Sequence, residues 1–180
     1  MAALNYYTVA IVPGITALKN AHAFITKGHK YALSNGIDPE TFVTASIHPD
    51  MKDFRFQVYV FTNVIKAVPS RLNPALQPMP LPDDQKTFEE LLARIEKTIE
   101  YLEGFKESDF EVKEQEVIVL EFPGKRIKFQ PMEYVAKWVQ PSMWFHIVTA
   151  YNILRMKGVD VGKLDYLNGA GQITVEEVAQ

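Results

Sequence analysis

The sequence predicts a mainly α fold, an up-and-down four-helix bundle with a β-hairpin between its third and fourth helices, and three observations predict it. Apolar residues recur at steps of three and four in four separate stretches, as on helices with one buried face. Between residues 116 and 129 the period drops to two, around a Pro-Gly turn. The crossing from Pro69 to Pro82 carries five prolines and cannot continue as helix. At 180 residues the chain suits a single core, assigned to residues 1–167, with 168–180 as a flexible C-terminal tail.

The first helix is expected from about Tyr7 to Asn35, with Pro13 tolerated in its early turns. Ile15, Leu18, His22, Ile25, His29 and Ala32 form its seam, and Asn35-Gly36 stops it, because both residues accept the left-handed cap conformation. Asp38-Pro39 has the chemistry of a helix start, so a short helix should follow to about Ser46. His48-Pro49-Asp50 is expected to open the second long helix, with Phe54, Gln57 or Val58, Phe61, Val64, Ile65 and Val68 inward.

The third helix, from Asp84 to Gly104, has Phe88, Leu91, Leu92, Ile95, Ile99 and Leu102 on one side and Glu89, Glu96, Lys97, Glu100 and Glu103 on the other. Asp83-Asp84 is its expected N-cap. In the hairpin, Val117, Val119 and Glu121 alternate with Ile118, Leu120 and Phe122, and Pro123-Gly124-Lys125 makes the turn. A lone hairpin is unstable in water, so this one must lie on the bundle. The fourth helix runs from Pro131 to Lys157, with a kink or break at Pro141 and Gly158 as its stop.

Composition excludes several function classes. The chain has no cysteine, which removes disulfides, thiol nucleophiles and thiolate metal sites. A net charge of -3 and a pI near 5.8 offer no long-range attraction to nucleic acid or anionic membrane. Lys125, Arg126 and Lys128 form a solvated strand edge. No apolar run is expected to reach the roughly 18 residues that cross a bilayer, and a cytoplasmic protein is the expectation. There is no Gly-rich phosphate loop and no nucleophile elbow.

Chemistry gathers between Trp138 and Tyr151, where His146 falls on a core-facing stripe with Thr149, Ala150 and Ile153. A buried imidazole needs partners for its nitrogens, and it serves either as a satisfied core residue or as an acid–base group. Gln57 interrupts the apolar side of the second helix and would be its partner if the two faces meet. One step of helix phase, about 100°, decides that. His22 and His29 lie roughly 10 Å apart along one helix, too far to chelate one metal ion. No His-x-x-x-His pair occurs.

Leu18-Lys19-Asn20, Asn35-Gly36-Ile37-Asp38-Pro39, Pro49-Asp50-Met51 and Gln57-Val58 carry a resemblance. So do Thr87-Phe88-x-Glu90-Leu91-x-x-Arg94-Ile95, Phe145-His146-x-x-Thr149-Ala150-Tyr151 and Gly162-Lys163-x-Asp165-Tyr166. Together they resemble the DinB/YfiT-like helical-bundle superfamily, in a branch known only as a domain of unknown function in bacteria and fungi. The resemblance implies a four-helix bundle and a homodimer. Metal-binding members use one histidine on the second helix and a His-x-x-x-His pair on the fourth. His146 resembles the first of that pair, Ala150 stands at its partner's position, and Gln57 lies near the remaining ligand position.

The leading expectation is a metal-free bundle, needing no cofactor, that binds a small organic molecule near Gln57, Trp138, Trp144, His146 and Tyr151. His146 would be its acid–base group and Tyr151 or Gln57 would position the substrate, for proton transfer, cyclisation or dehydration. The alternative is a non-catalytic structural or interaction protein that dimerises. A third reading is a divalent-metal enzyme that recruits His22 or His29.

Overall fold

A computed structural model describes residues 5–111 and 116–176. Four long helices dominate: α1 (Val12–Ser34), α3 (Phe54–Lys66), α5 (Phe88–Glu103) and α7 (Gln140–Met156). Shorter helices join them: α2 (Glu40–Val43), α4 (Val68–Leu72), α6 (Pro131–Glu133) and, after α7, α8 (Lys163–Asn168). Helix α1 packs on α5 and α7, and α3 packs on the same two from the other side, which closes the bundle. Strands β1 (Ile118–Phe122) and β2 (Lys125–Phe129) pair antiparallel with Leu120 opposite Ile127.

The buried face of α1 is Ala17, Leu18, Ala21, Phe24, Ile25, Gly28 and Ala32. It is rotated from the expected seam, so His22 and His29 sit at the border facing α5. A Cβ on Gly14 would stand 2.5 Å from the Ile65 side chain, so only glycine lets α1 approach α3 there. Phe42 of α2, Phe54 and Phe88 close one end of the core, with the His29 ring stacked on Phe88 at 5.0 Å. Taken with the turn before it, the helix from Tyr7 to Ser34 is apolar and long enough to span a membrane, contrary to expectation. Half of its most apolar window is buried inside the bundle, where those residues form core.

Both prolines within the long helices are absorbed by the same device. A π-helical turn (Tyr7–Ile11) precedes α1, and another (Tyr134–Val139) precedes α7, placing Pro13 and Pro141 in the first turn of a new α-helix. The expected break at Pro141 is therefore a change of helix type. Pro13 has no N–H for the Val9 carbonyl, and the Gln140 side chain donates to that carbonyl at 2.9 Å.

Two helix starts differ from expectation. Helix α3 begins at Phe54, not at His48-Pro49-Asp50, because Asp53 accepts from the Phe56 N–H and residues 48–51 form a turn. Helix α5 begins at Phe88, where Thr87 and Glu90 cap each other's backbone. Asp83 is unavailable as a cap, since its carboxylate accepts from Arg94 and Asn63.

Beyond Leu167 the described chain is tied to α1 and to itself by side-chain hydrogen bonds. The Asn20 side chain donates to the Leu167 carbonyl at 2.8 Å and accepts from the Ala170 N–H at 3.0 Å, while Asn168 bonds both backbone groups of Ile173. Residues 168–173 are thus fastened along α1, and 177–180 lie outside the described residues.

Candidate functional site

Helices α3 and α7 meet so that His146 and Gln57 touch. Asp53 starts α3 in a phase that buries Gln57, which is 2% exposed, together with Phe54, Val58 and Phe61. The His146 Nδ1 lies 2.7 Å from Gln57 Oε1, and Gln57 Nε2 donates to the Lys52 carbonyl at 2.8 Å. The order of donors follows from chemistry. A carbonyl only accepts, so the Gln57 amide must turn its NH2 to Lys52 and its oxygen to His146. The imidazole hydrogen then sits on Nδ1, and Nε2 keeps a lone pair.

Burial holds the His146 imidazole below its ordinary pKa, which favours the neutral ring at pH 7. The ring is half-buried, with Phe56 edge-on at 6.2 Å and Phe145 at 5.1 Å. Phe145 is 57% exposed and Val148 38%, so the imidazole stands at the edge of an apolar patch.

The other expected site residues do not join it. Trp138 packs against Phe122 and Phe129 at 5.6 and 6.1 Å and supports the hairpin. Trp144 faces α1 and α8, its indole N–H donating to Gln140 Oε1 at 2.7 Å. Tyr151 donates to the Val161 carbonyl at 3.0 Å, edge-on to Phe24 and Tyr166. The five residues expected to share one pocket occupy three places, and only His146 and Gln57 are in contact.

The donor set does not suit the three-imidazole metal site implied by the resemblance. Ala150 presents a buried methyl group, and the second-helix position is an amide whose oxygen already accepts from His146. His22 pairs with Glu96 at 2.9 Å and His29 with Glu89 at 3.3 Å, both across the α1–α5 seam. Among the described residues, no group of three or more His, Asp or Glu side chains is placed to hold a metal ion.

One buried polar residue had no part in the expected site. The Arg94 side chain is fully buried. Its Nε donates to Thr62 Oγ1 at 2.7 Å, and one terminal nitrogen donates to the Pro82 carbonyl and Gln85 Oε1, each at 2.7 Å. The other donates to Asn63 Oδ1 at 2.9 Å and Asp83 Oδ1 at 2.7 Å. The signal was its spacing: Arg94 falls three residues after Leu91 and one before Ile95, inside the buried stripe of α5.

Three comparisons place these features. A family model described as "Domain of unknown function (DUF1993)" matches residues 6–167. A crystal structure of a DinB family member protein from Shewanella denitrificans is similar in fold, with a TM-score of 0.81 and 31% sequence identity, over 96% of this chain and 95% of that one. No curated protein matches.

Proposed function

The chain belongs to the DUF1993 family of DinB-like helical bundles, and from that premise we propose that it binds a small organic molecule beside His146 and moves a proton on it without a metal. One observation carries the proposal: the relay from the Lys52 carbonyl through Gln57 to His146 Nδ1. It supports a role for Nε2 as the proton acceptor, on a ring held in place by the Nδ1 contact.

In the forward step Nε2 takes a proton from an O–H, N–H or acidified C–H of the substrate. The resulting imidazolium keeps its Nδ1–H bond to the Gln57 carbonyl, which strengthens as charge develops. In the return step the same proton is delivered to another atom of the substrate or to its leaving oxygen, giving isomerisation, cyclisation or dehydration. Phe56 and Phe145 offer an apolar wall for the rest of the substrate.

A panel of defined small organic acids, amides and lactones, followed by NMR of the imidazole nitrogens, tests the proposal. At least one compound should shift the His146 signals and be turned over, and His146→Ala should abolish both effects while leaving the melting temperature within a few degrees. Activity that survives in His146→Ala would end it. Stoichiometric zinc uptake measured by titration calorimetry would end its metal-free part.

The exposed Phe56, Phe145 and Val148 favour a second reading, a non-catalytic protein that self-associates through this face. The same samples decide it by light scattering: a dimer broken by Phe145→Asp, with no compound bound, supports that reading instead.

A further inference from the structure

On the opposite side of α7 from His146 lies a concavity with its own construction. It is a half-open slot of about 310 Å³ between α1, α7 and α8, lined chiefly by Ala17, Asn20, Trp144, Ile147, Tyr166 and Leu167. All of these side chains are uncharged, and most of the lining is carbon. The volume lies at the lower end of the range for small-molecule sites.

The slot is held open by two amides. Gln140 bonds the Val9 carbonyl that Pro13 leaves free and, through its oxygen, the Trp144 indole N–H at 2.7 Å. The indole plane is thus fixed to two helices at once. Asn20, 4% exposed, bonds Leu167 and Ala170 and so holds in place the segment that carries Tyr166 and Leu167. Gly169 lets that segment turn back onto α1, since a Cβ there would come within 2.4 Å of the Asp165 carbonyl and 3.2 Å of Ala23. The rings of Trp144 and Tyr166 stand 6.4 Å apart at 64°. Among the described residues the Tyr166 hydroxyl makes no hydrogen bond, although the ring lines the slot.

We propose that this slot is a binding site for a neutral, planar aromatic group of one or two fused rings, seated against the Trp144 indole. An aromatic face already oriented by hydrogen bonds gains stacking energy without losing rotamer freedom. The absence of charge in the lining favours a neutral ring over an anionic one, because a carboxylate placed there would lose water without gaining a partner. The free hydroxyl of Tyr166 favours a ring that carries one hydrogen-bonding substituent. The site does not depend on His146, which faces α3.

2-Naphthol serves as the probe, followed by 1H–15N NMR on the full chain. Saturable shifts are expected at the Trp144 indole N–H and at the Ala17 and Leu167 amides, with the Trp138 indole N–H unmoved. Thr16→Trp, at the rim, should fill the slot and weaken binding about tenfold or more, while His146→Ala should bind within about twofold of the parent. If Thr16→Trp disturbs the fold, Leu167→Arg on the exposed side of the slot should weaken binding in the same way. Non-saturating shifts at both indoles, or affinity unchanged in the rim variant that folds, would overturn the proposal. Loss of binding in His146→Ala would also overturn it, by assigning the probe to the other site.

Discussion

Arg94 and His146 are both polar side chains set into the apolar faces of bundle helices, and they differ in how completely they are satisfied. Arg94 is fully buried, and each of its five N–H groups has an acceptor within 2.9 Å. Its guanidinium also lies over the Tyr59 ring at 4.9 Å. Nothing on it remains to act on a ligand. His146 is half-buried, with one nitrogen held by Gln57 and the other keeping its lone pair. The saturated group ties the 82–85 crossing to α3 and α5, and the half-satisfied group retains a capacity for chemistry. Burial alone does not separate the two roles; the count of unspent donors and acceptors does.

The largest expected effect comes from breaking the saturated group. Arg94→Met keeps an unbranched apolar stem but strands the Pro82 carbonyl, Asn63, Gln85 and the Thr62 hydroxyl. Urea unfolding should show a loss of about 3–5 kcal/mol, as when one partner leaves a buried ionic network. Arg94→Lys should recover only part of that, because an ammonium has three donors and no fork. A loss below about 1 kcal/mol in Arg94→Met would show that the network is dispensable and would erase the contrast.

A smaller effect is expected at Gln57. Gln57→Leu leaves both the His146 Nδ1–H and the Lys52 carbonyl without their partner, for a loss of about 1–3 kcal/mol by the same measurement. The imidazole should then populate both tautomers, visible in its nitrogen shifts. A single unchanged tautomer in the variant would mean that Gln57 does not orient the ring.

How much of this could be seen beforehand follows the range of the interactions. The stripe of α5, the hairpin alternation and the glycine stops at Gly36 and Gly158 are local patterns, and the bundle could be anticipated from them. Helix starts were less legible, because Asp50, Asp53, Asp83, Asp84 and Thr87 all have capping chemistry and only tertiary partners decide among them. Asp83 was taken by Arg94, which removed it from the choice. Arg94 itself finds acceptors on α3 and on the crossing, at separations that no periodicity encodes. Asn20, which fastens the chain 150 residues later, has no local signature either. The His146–Gln57 contact depended on helix phase, and Trp138 was misplaced because its neighbours come from the hairpin.

The smallest effect is the most specific, because it concerns the sign of a slope. Burial holds the His146 pKa below its ordinary value, while in the unfolded chain it returns to about 6.5. Between those two values the unfolded chain binds the extra proton. Its contribution to stability is therefore fully present above about pH 6.5 and is lost as pH falls through the folded value. The quantity to compare is the difference between the parent and His146→Asn from pH 5 to 8. That difference should grow in the parent's favour as pH rises. Gln57→Glu should reverse it, because a carboxylate beside Nδ1 raises the folded pKa above the unfolded one. The gain would then be present below about pH 6.5 and lost as pH rises through the new value. A parent and a Gln57→Glu variant with slopes of the same sign would show that the residue facing Nδ1 does not control the ring's protonation. The contrast with Arg94 would then reduce to depth of burial.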